Sequence, residues 1–132
     1  MQTKNIKQTI LFDFPPEQIY ELLMDSKKHA DFTESPAHIG KNVGEKFNSY
    51  GDYIEGTNVE LIPNKKIVQR WRAKDWPIKH FSVVTFELAI LGNGTKLSFS
   101  HIGVPANQYT EISIGWREHY WQKMKAYLKE NN

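Results

Sequence analysis

Five histidines, His29, His38, His80, His101 and His119, are the side chains of this sequence best suited to proton transfer or metal binding near neutral pH. No two of them stand at the close separation of a helix or strand ligand pair, so their pattern does not indicate a metal centre. Cysteine is absent, which removes thiolate nucleophiles, cysteine-ligated zinc and disulfides. No Gly-x-Ser-x-Gly elbow or Walker loop occurs. Gly92 and Gly94 begin a dinucleotide fingerprint but lack its third glycine and following helix, and they read as a hairpin turn. Asn93-Gly94-Thr95 has the glycosylation pattern and is read as the same turn. Glu17 and Glu21 share a helix face beside a proline start, where carboxylates are solvated and favoured by the helix dipole. No catalytic residue, metal or cofactor is assigned.

Two features invite more attention. His101 continues the strand face that carries Leu97 and Phe99, and so points under a covering helix where Tyr120 could bring its hydroxyl. A buried histidine beside a tyrosine can act as a general base; a hydrogen-bonded core histidine is the plainer reading and the one preferred. The second is residues 65–79, which hold Lys65, Lys66, Arg70, Arg72, Lys74 and Lys79 against Asp75, a charge of +5 where the rest of the chain sums to -3. Arg70, Arg72 and Lys74 alternate with Trp71 and Ala73, so with Trp71 in the core the three cations line the opposite face, ending at Trp76 and Pro77. Such a row suits an acidic protein surface and, less specifically, a nucleic-acid backbone. Its bland alternative is a solvated strand face that resists edge aggregation.

The elements that would hold these residues follow from periodicity. Ile6, Ile10 and Phe12 alternate with polar neighbours as a first strand, stopped by Pro15 and Pro16. Ile19, Leu22 and Leu23 then mark a short helix to about Asp25, with a second helical turn expected near residues 27–32. From Val43 onward, strands at residues 45–50, 53–62, 67–74, 80–91 and 95–103 are separated by Gly51-Asp52, Pro63-Asn64 and Gly92-Asn93-Gly94. Connections this short force antiparallel pairing. Val84, Phe86, Leu88 and Ile90 share one face with Ile67, Trp71, Ala73, Leu97 and Phe99. Ile112, Trp116, Tyr120, Met124 and Tyr127, widened by Trp121 and Leu128, predict one amphipathic helix over residues 110–129 to cover that face. The expected class is α+β, a curved antiparallel sheet against a long terminal helix.

Composition agrees with a folded chain. The 132 residues suit one domain, 39% are apolar, and 4 Trp, 6 Tyr and 7 Phe supply a core without staples. The longest apolar run is residues 88–91, far short of a membrane span, and residues 1–5 lead into a polar alternating segment with no secretory pattern. A cytoplasmic protein is expected, with neither membrane nor nucleic acid as partner.

The run Ile67-Val68-Gln69-Arg70-Trp71-Arg72-Ala73-Lys74-Asp75-Trp76-Pro77 carries a resemblance, followed by His80-Phe81, Gly103-Val104-Pro105 and Gly115-Trp116-Arg117-Glu118-His119-Tyr120. It resembles the C-terminal domain of the activator of heat-shock-protein-90 ATPase, and Asp31-Phe32-Thr33 and Val43-Gly44-Glu45-Lys46-Phe47 extend the likeness over almost the whole chain. The family is similar to the birch-pollen-allergen and lipid-transfer superfamily, so the resemblance implies one helix-grip domain over residues 1–132. It also implies a non-enzymatic co-chaperone role on a 90-kDa heat-shock chaperone, although the N-terminal domain of the eukaryotic members has no counterpart here. Arg70, Arg72, Lys74 and Trp76 are then the expected partner-binding residues. The competing expectation is a small apolar ligand, or less favoured a cyclase-type enzyme using His101, in a cavity walled by Trp71, Phe86, Phe99, His101, Trp116 and Tyr120. Given so many bulky side chains, any such void is expected to be small.

Overall fold

The computed structural model describes residues 2–132; Met1, the first residue of the expected domain range, lies outside them. β1 spans Thr3–Phe12, burying Ile6, Ile10 and Phe12 while Lys4 and Lys7 face solvent. Pro15 is extended and Pro16 takes the first helical position of α1, Pro16–Met24. Asp25 ends α1 and at once caps α2, Ser26–Thr33, its carboxylate accepting from the Lys28 amide at 3.0 Å. The left-handed Glu34, at φ 55°, closes α2.

The strands β2 (His38–Ile39), β3 (Lys46–Ser49), β4 (Ile54–Ile62), β5 (Lys66–Ala73), β6 (Ser82–Leu91) and β7 (Gly94–Pro105) join β1 in one sheet. Its order is β1-β7-β6-β5-β4-β3-β2, antiparallel throughout. Two features went unread in the sequence: the two-residue β2, too short to show a period, and register shifts between Lys4 and Ile6 and between Asn58 and Glu60. Such irregularities bend strands and increase twist. At the crossing of β3, β4 and β5 the backbone of Gly56 lies so close to the Arg70 carbonyl and the Phe47 ring that a Cβ would strike both.

The terminal helical segment runs through the expected residues with one departure. α3 (Tyr109–Trp116) and α4 (Gln122–Glu130) are joined without a break by a wide turn of π geometry at Arg117–Trp121, where the Gln122 amide donates to the carbonyl of Arg117, five residues back. In a regular α-helix residues five apart point about 140° from one another. The wide turn brings Trp121 beneath Trp116 instead, with ring centroids 5.6 Å apart and planes at 20°. Trp116, Tyr120, Trp121, Met124 and Leu128 are buried, and Ile112 and Tyr127 half-buried. Trp116 meets Phe99 at 4.5 Å, Trp71 at 5.6 Å and Phe86 at 5.9 Å, as the face assignment requires. Ile90, expected on the covered face, is 77% exposed near the end of β6. A curved seven-stranded antiparallel sheet gripping a long C-terminal helix is the helix-grip fold. No described helix is long and apolar enough to cross a membrane.

Candidate functional site

On the outer face of the sheet, β5 turns Trp71 and Ala73 into the core and leaves Arg70 and Lys74 exposed, with Arg72 half-buried between them. Each cation is placed differently. Arg70 stacks its guanidinium over the Phe81 ring at 4.3 Å and enters no ion pair among the described residues. Arg72 is turned toward the chain itself: its Nη2 donates to the carbonyls of Trp76 at 2.9 Å and Pro77 at 3.3 Å, and its Nη1 lies 3.7 Å from Glu55. Lys74 reaches Asp52 at 3.2 Å. Trp76 departs from the expectation of an exposed contact residue. It is 3% exposed and packs on Trp71 at 5.3 Å, because the Trp76 amide donates back to Ala73 and Arg72 holds its carbonyl, folding the indole inward. The exposed rim is Pro77, Ile78 and Lys79.

His101 is fully buried and its two nitrogens are both engaged. The Trp116 indole donates to Nδ1 at 3.0 Å, so Nε2 carries the proton and donates to Ser82 Oγ at 2.7 Å. Ser82 in turn donates to the Trp71 carbonyl at 2.7 Å. Burial lowers the His101 pKa to about 3. With no free nitrogen and no opening beside it, His101 is a structural histidine, and the pairing with Tyr120 considered from the sequence does not form.

Tyr120 bonds a different histidine. His29 Nδ1 faces the Leu23 carbonyl at 3.3 Å and so donates, leaving Nε2 to accept from the Tyr120 hydroxyl at 2.9 Å, while Ser49 Oγ donates to that same hydroxyl at 2.9 Å. Burial lowers His29 to about 4, against the opposing pull of the Leu23 and Leu22 carbonyls, and raises the Tyr120 hydroxyl well above the ordinary tyrosine range. The sequence does contain a signal for His29, since it falls at helical spacing with the buried Phe32 and Thr33. Among the described residues no group of three or more His, Asp or Glu side chains could hold a metal.

Between sheet and helix the interior is packed, with a gap of only about 20 Å³ bordered by Trp71, Phe86, Trp116 and Tyr120 among others. Phe99 and His101, expected as cavity walls, border neither this gap nor the larger opening described next. That opening is a groove of about 620 Å³ at the end of the grip. Trp71, Trp116 and Tyr120 form its floor, the turn bearing Tyr50 and Tyr53 one wall and α3 the other. Burial raises the Tyr50 pKa to about 12, with Glu34 adding to it, and the Tyr50 hydroxyl donates to the His119 carbonyl at 2.7 Å. No periodicity announces the groove, because it forms where a hairpin turn and the wide helical turn converge from distant parts of the chain.

A family model described as Activator of Hsp90 ATPase homolog 1-like protein matches residues 13–129. The chain is 30% identical to mouse Activator of 90 kDa heat shock protein ATPase homolog 2, over 92% of this chain and 37% of that protein. It is also 30% identical to human Activator of 90 kDa heat shock protein ATPase homolog 1, over 91% of this chain and 35% of that one. It thus spans little more than a third of these relatives' length. Among solved structures, an HSP90 activator from Plasmodium falciparum superposes with a TM-score of 0.90 at 25% identity, covering 95% of this chain and 96% of that one. A Mesorhizobium loti protein shares the fold with a TM-score of 0.84 at 21% identity, over 98% of this chain and 99% of the other.

Proposed function

Because this chain belongs to the Activator of Hsp90 ATPase homolog 1-like family, we propose that it is a co-chaperone-like module, one helix-grip domain working without catalysis in the cytoplasm. In this reading it docks on a 90-kDa heat-shock chaperone and favours that chaperone's ATPase cycle. The observation that carries the reading is the near end-to-end match to the Plasmodium falciparum HSP90 activator, 95% of one chain on 96% of the other. A packed interior leaves the surface to act with, and the outer face of β5 offers the charge: Arg70 is exposed and outside any ion pair among the described residues, with Lys74 and the rim residue Lys79 nearby in sequence. A basic patch is suited to steering an acidic partner.

The test is the ATPase rate of the 90-kDa chaperone from the same source, titrated with the purified chain. A saturable rise is expected, weakened by Arg70→Glu together with Lys79→Glu. No change in rate and no binding at low salt would refute the reading.

A further inference from the structure

The groove at the end of the grip differs in chemistry from the basic face of β5. Its floor and walls are mainly aromatic and aliphatic, with Gln108 and His119 among them, and its two carboxylates are Glu111 and Glu118. Among the described residues no lysine or arginine lines it. Both glutamates are exposed, and neither enters an ion pair among the described residues. Asp75 does not line the groove, but it accepts from the hydroxyl of the lining residue Tyr53 at 3.2 Å. In a chain of net charge +2 this is a local reversal of sign, and a concave, low-dielectric wall concentrates such a field.

We propose that this groove is a binding site for a small organic cation on an apolar body, an alkyl- or arylammonium. Its head lies toward Glu111 and Glu118, and its body lies along the floor of Trp71, Trp116 and Tyr120. Three independent features converge on that chemistry. Aromatic surfaces attract ammonium groups through the ring quadrupole, and Tyr50 and Tyr53 offer such surface on the accessible wall. The two lining carboxylates supply charge that no ion pair among the described residues takes up. The volume of about 620 Å³ falls in the range of small-molecule pockets, whereas the interior gap of about 20 Å³ has room for no ligand larger than water. A fatty acid or phosphate ester is disfavoured by the same carboxylates. The proposal does not depend on the chaperone reading, since the groove lies on the concave side of the sheet and the basic row on the convex side.

The experiment is an amide and indole NMR titration of the whole chain with octyltrimethylammonium, 1-octanol and octanoate. Saturable shifts are expected at Tyr53, Ile112, Gly115 and the Trp116 indole, with the ammonium binding about tenfold more tightly than the alcohol and octanoate weaker still. Glu111→Gln with Glu118→Gln should remove most of that preference while moving the melting temperature by only a few degrees, the loss of a first-turn carboxylate on α3. Equal binding of alcohol and ammonium, shifts centred elsewhere, or a preference that survives the double variant would each overturn the proposal. So would tighter binding of the peptide acetyl-Leu-Lys-Leu-amide, which carries a primary alkylammonium on a peptide and would make the groove a peptide site.

Discussion

Tyr120 on the terminal helix donates its hydroxyl proton to His29 Nε2 on α2 at 2.9 Å, tying together residues 91 positions apart. The direction of the bond follows from the other side of the ring, where Nδ1 faces a carbonyl that can only accept. Tyr120→Phe therefore leaves His29 Nε2 and the Ser49 hydroxyl without their partner in a buried site. A loss of about 1–3 kcal/mol is expected in urea melts. A double-mutant cycle with Ser49→Ala should show coupling of at least about 0.5 kcal/mol, and additivity would mean that the chain does not act as a unit.

Both buried histidines couple folding to pH. Each is neutral in the folded state, with pKa lowered by burial to about 4 at His29 and about 3 at His101, whereas an unfolded histidine titrates near 6.5. Between those values the unfolded chain binds more protons, so stability is complete above about pH 6.5 and declines as pH falls toward 4. With two such groups the slope approaches about 2.7 kcal/mol per pH unit. Denaturant melts at pH 7, 6, 5 and 4.5 read it directly, and a flat profile would show that the rings are protonated without unfolding.

Arg70 and Arg72, two residues apart on the same strand, should behave oppositely. Arg70→Glu changes an exposed charge and should move stability by less than about 0.5 kcal/mol, while weakening the proposed chaperone binding in a salt-dependent way. Arg72→Glu removes the donor held by the Trp76 and Pro77 carbonyls and should cost about 2 kcal/mol or more. Thermal melts of the two single variants separate surface from scaffold; equal losses would place both arginines in the same structural role.

Gly56 should not tolerate a methyl group. Alanine there meets the Arg70 carbonyl as well as the Phe47 ring, and a cost of about 1–3 kcal/mol is expected. Adding Phe47→Leu relieves only the ring contact, so the double variant should not regain wild-type stability in the same melts.

The sheet and its covering helix were legible because short polar turns force antiparallel neighbours and because the residues from Ile112 to Tyr127 repeat at four and three. Trp116 buried against Phe86 and Phe99 follows directly from that pattern. Trp76 was not legible: beside a proline at the end of a basic strand it reads as a rim, and the bond of its amide to Ala73 together with the grip of Arg72 on its carbonyl turns it inward. The role of His29 was not legible because its only local signal is its spacing with Phe32 and Thr33 on α2, and its hydrogen-bond partner Tyr120 lies 91 positions away. The groove rests on Tyr50 and His119 coming together, and nothing in either local stretch encodes their meeting.

The wide turn at Arg117–Trp121 also marks where this chain can change length. It holds one residue more than a regular helical path from Trp116 to Met124 would need. If the exposed His119 is deleted, Trp116 and the residues now called Trp121, Met124 and Leu128 fall at intervals of four, three and four, the stripe of an unbroken α-helix. The shortened chain should therefore fold, keeping its core while losing the bulge that shapes the groove. At this point of the helix a deletion is a milder change than many substitutions, and the contour of the groove can be altered by counting residues instead of by altering their chemistry.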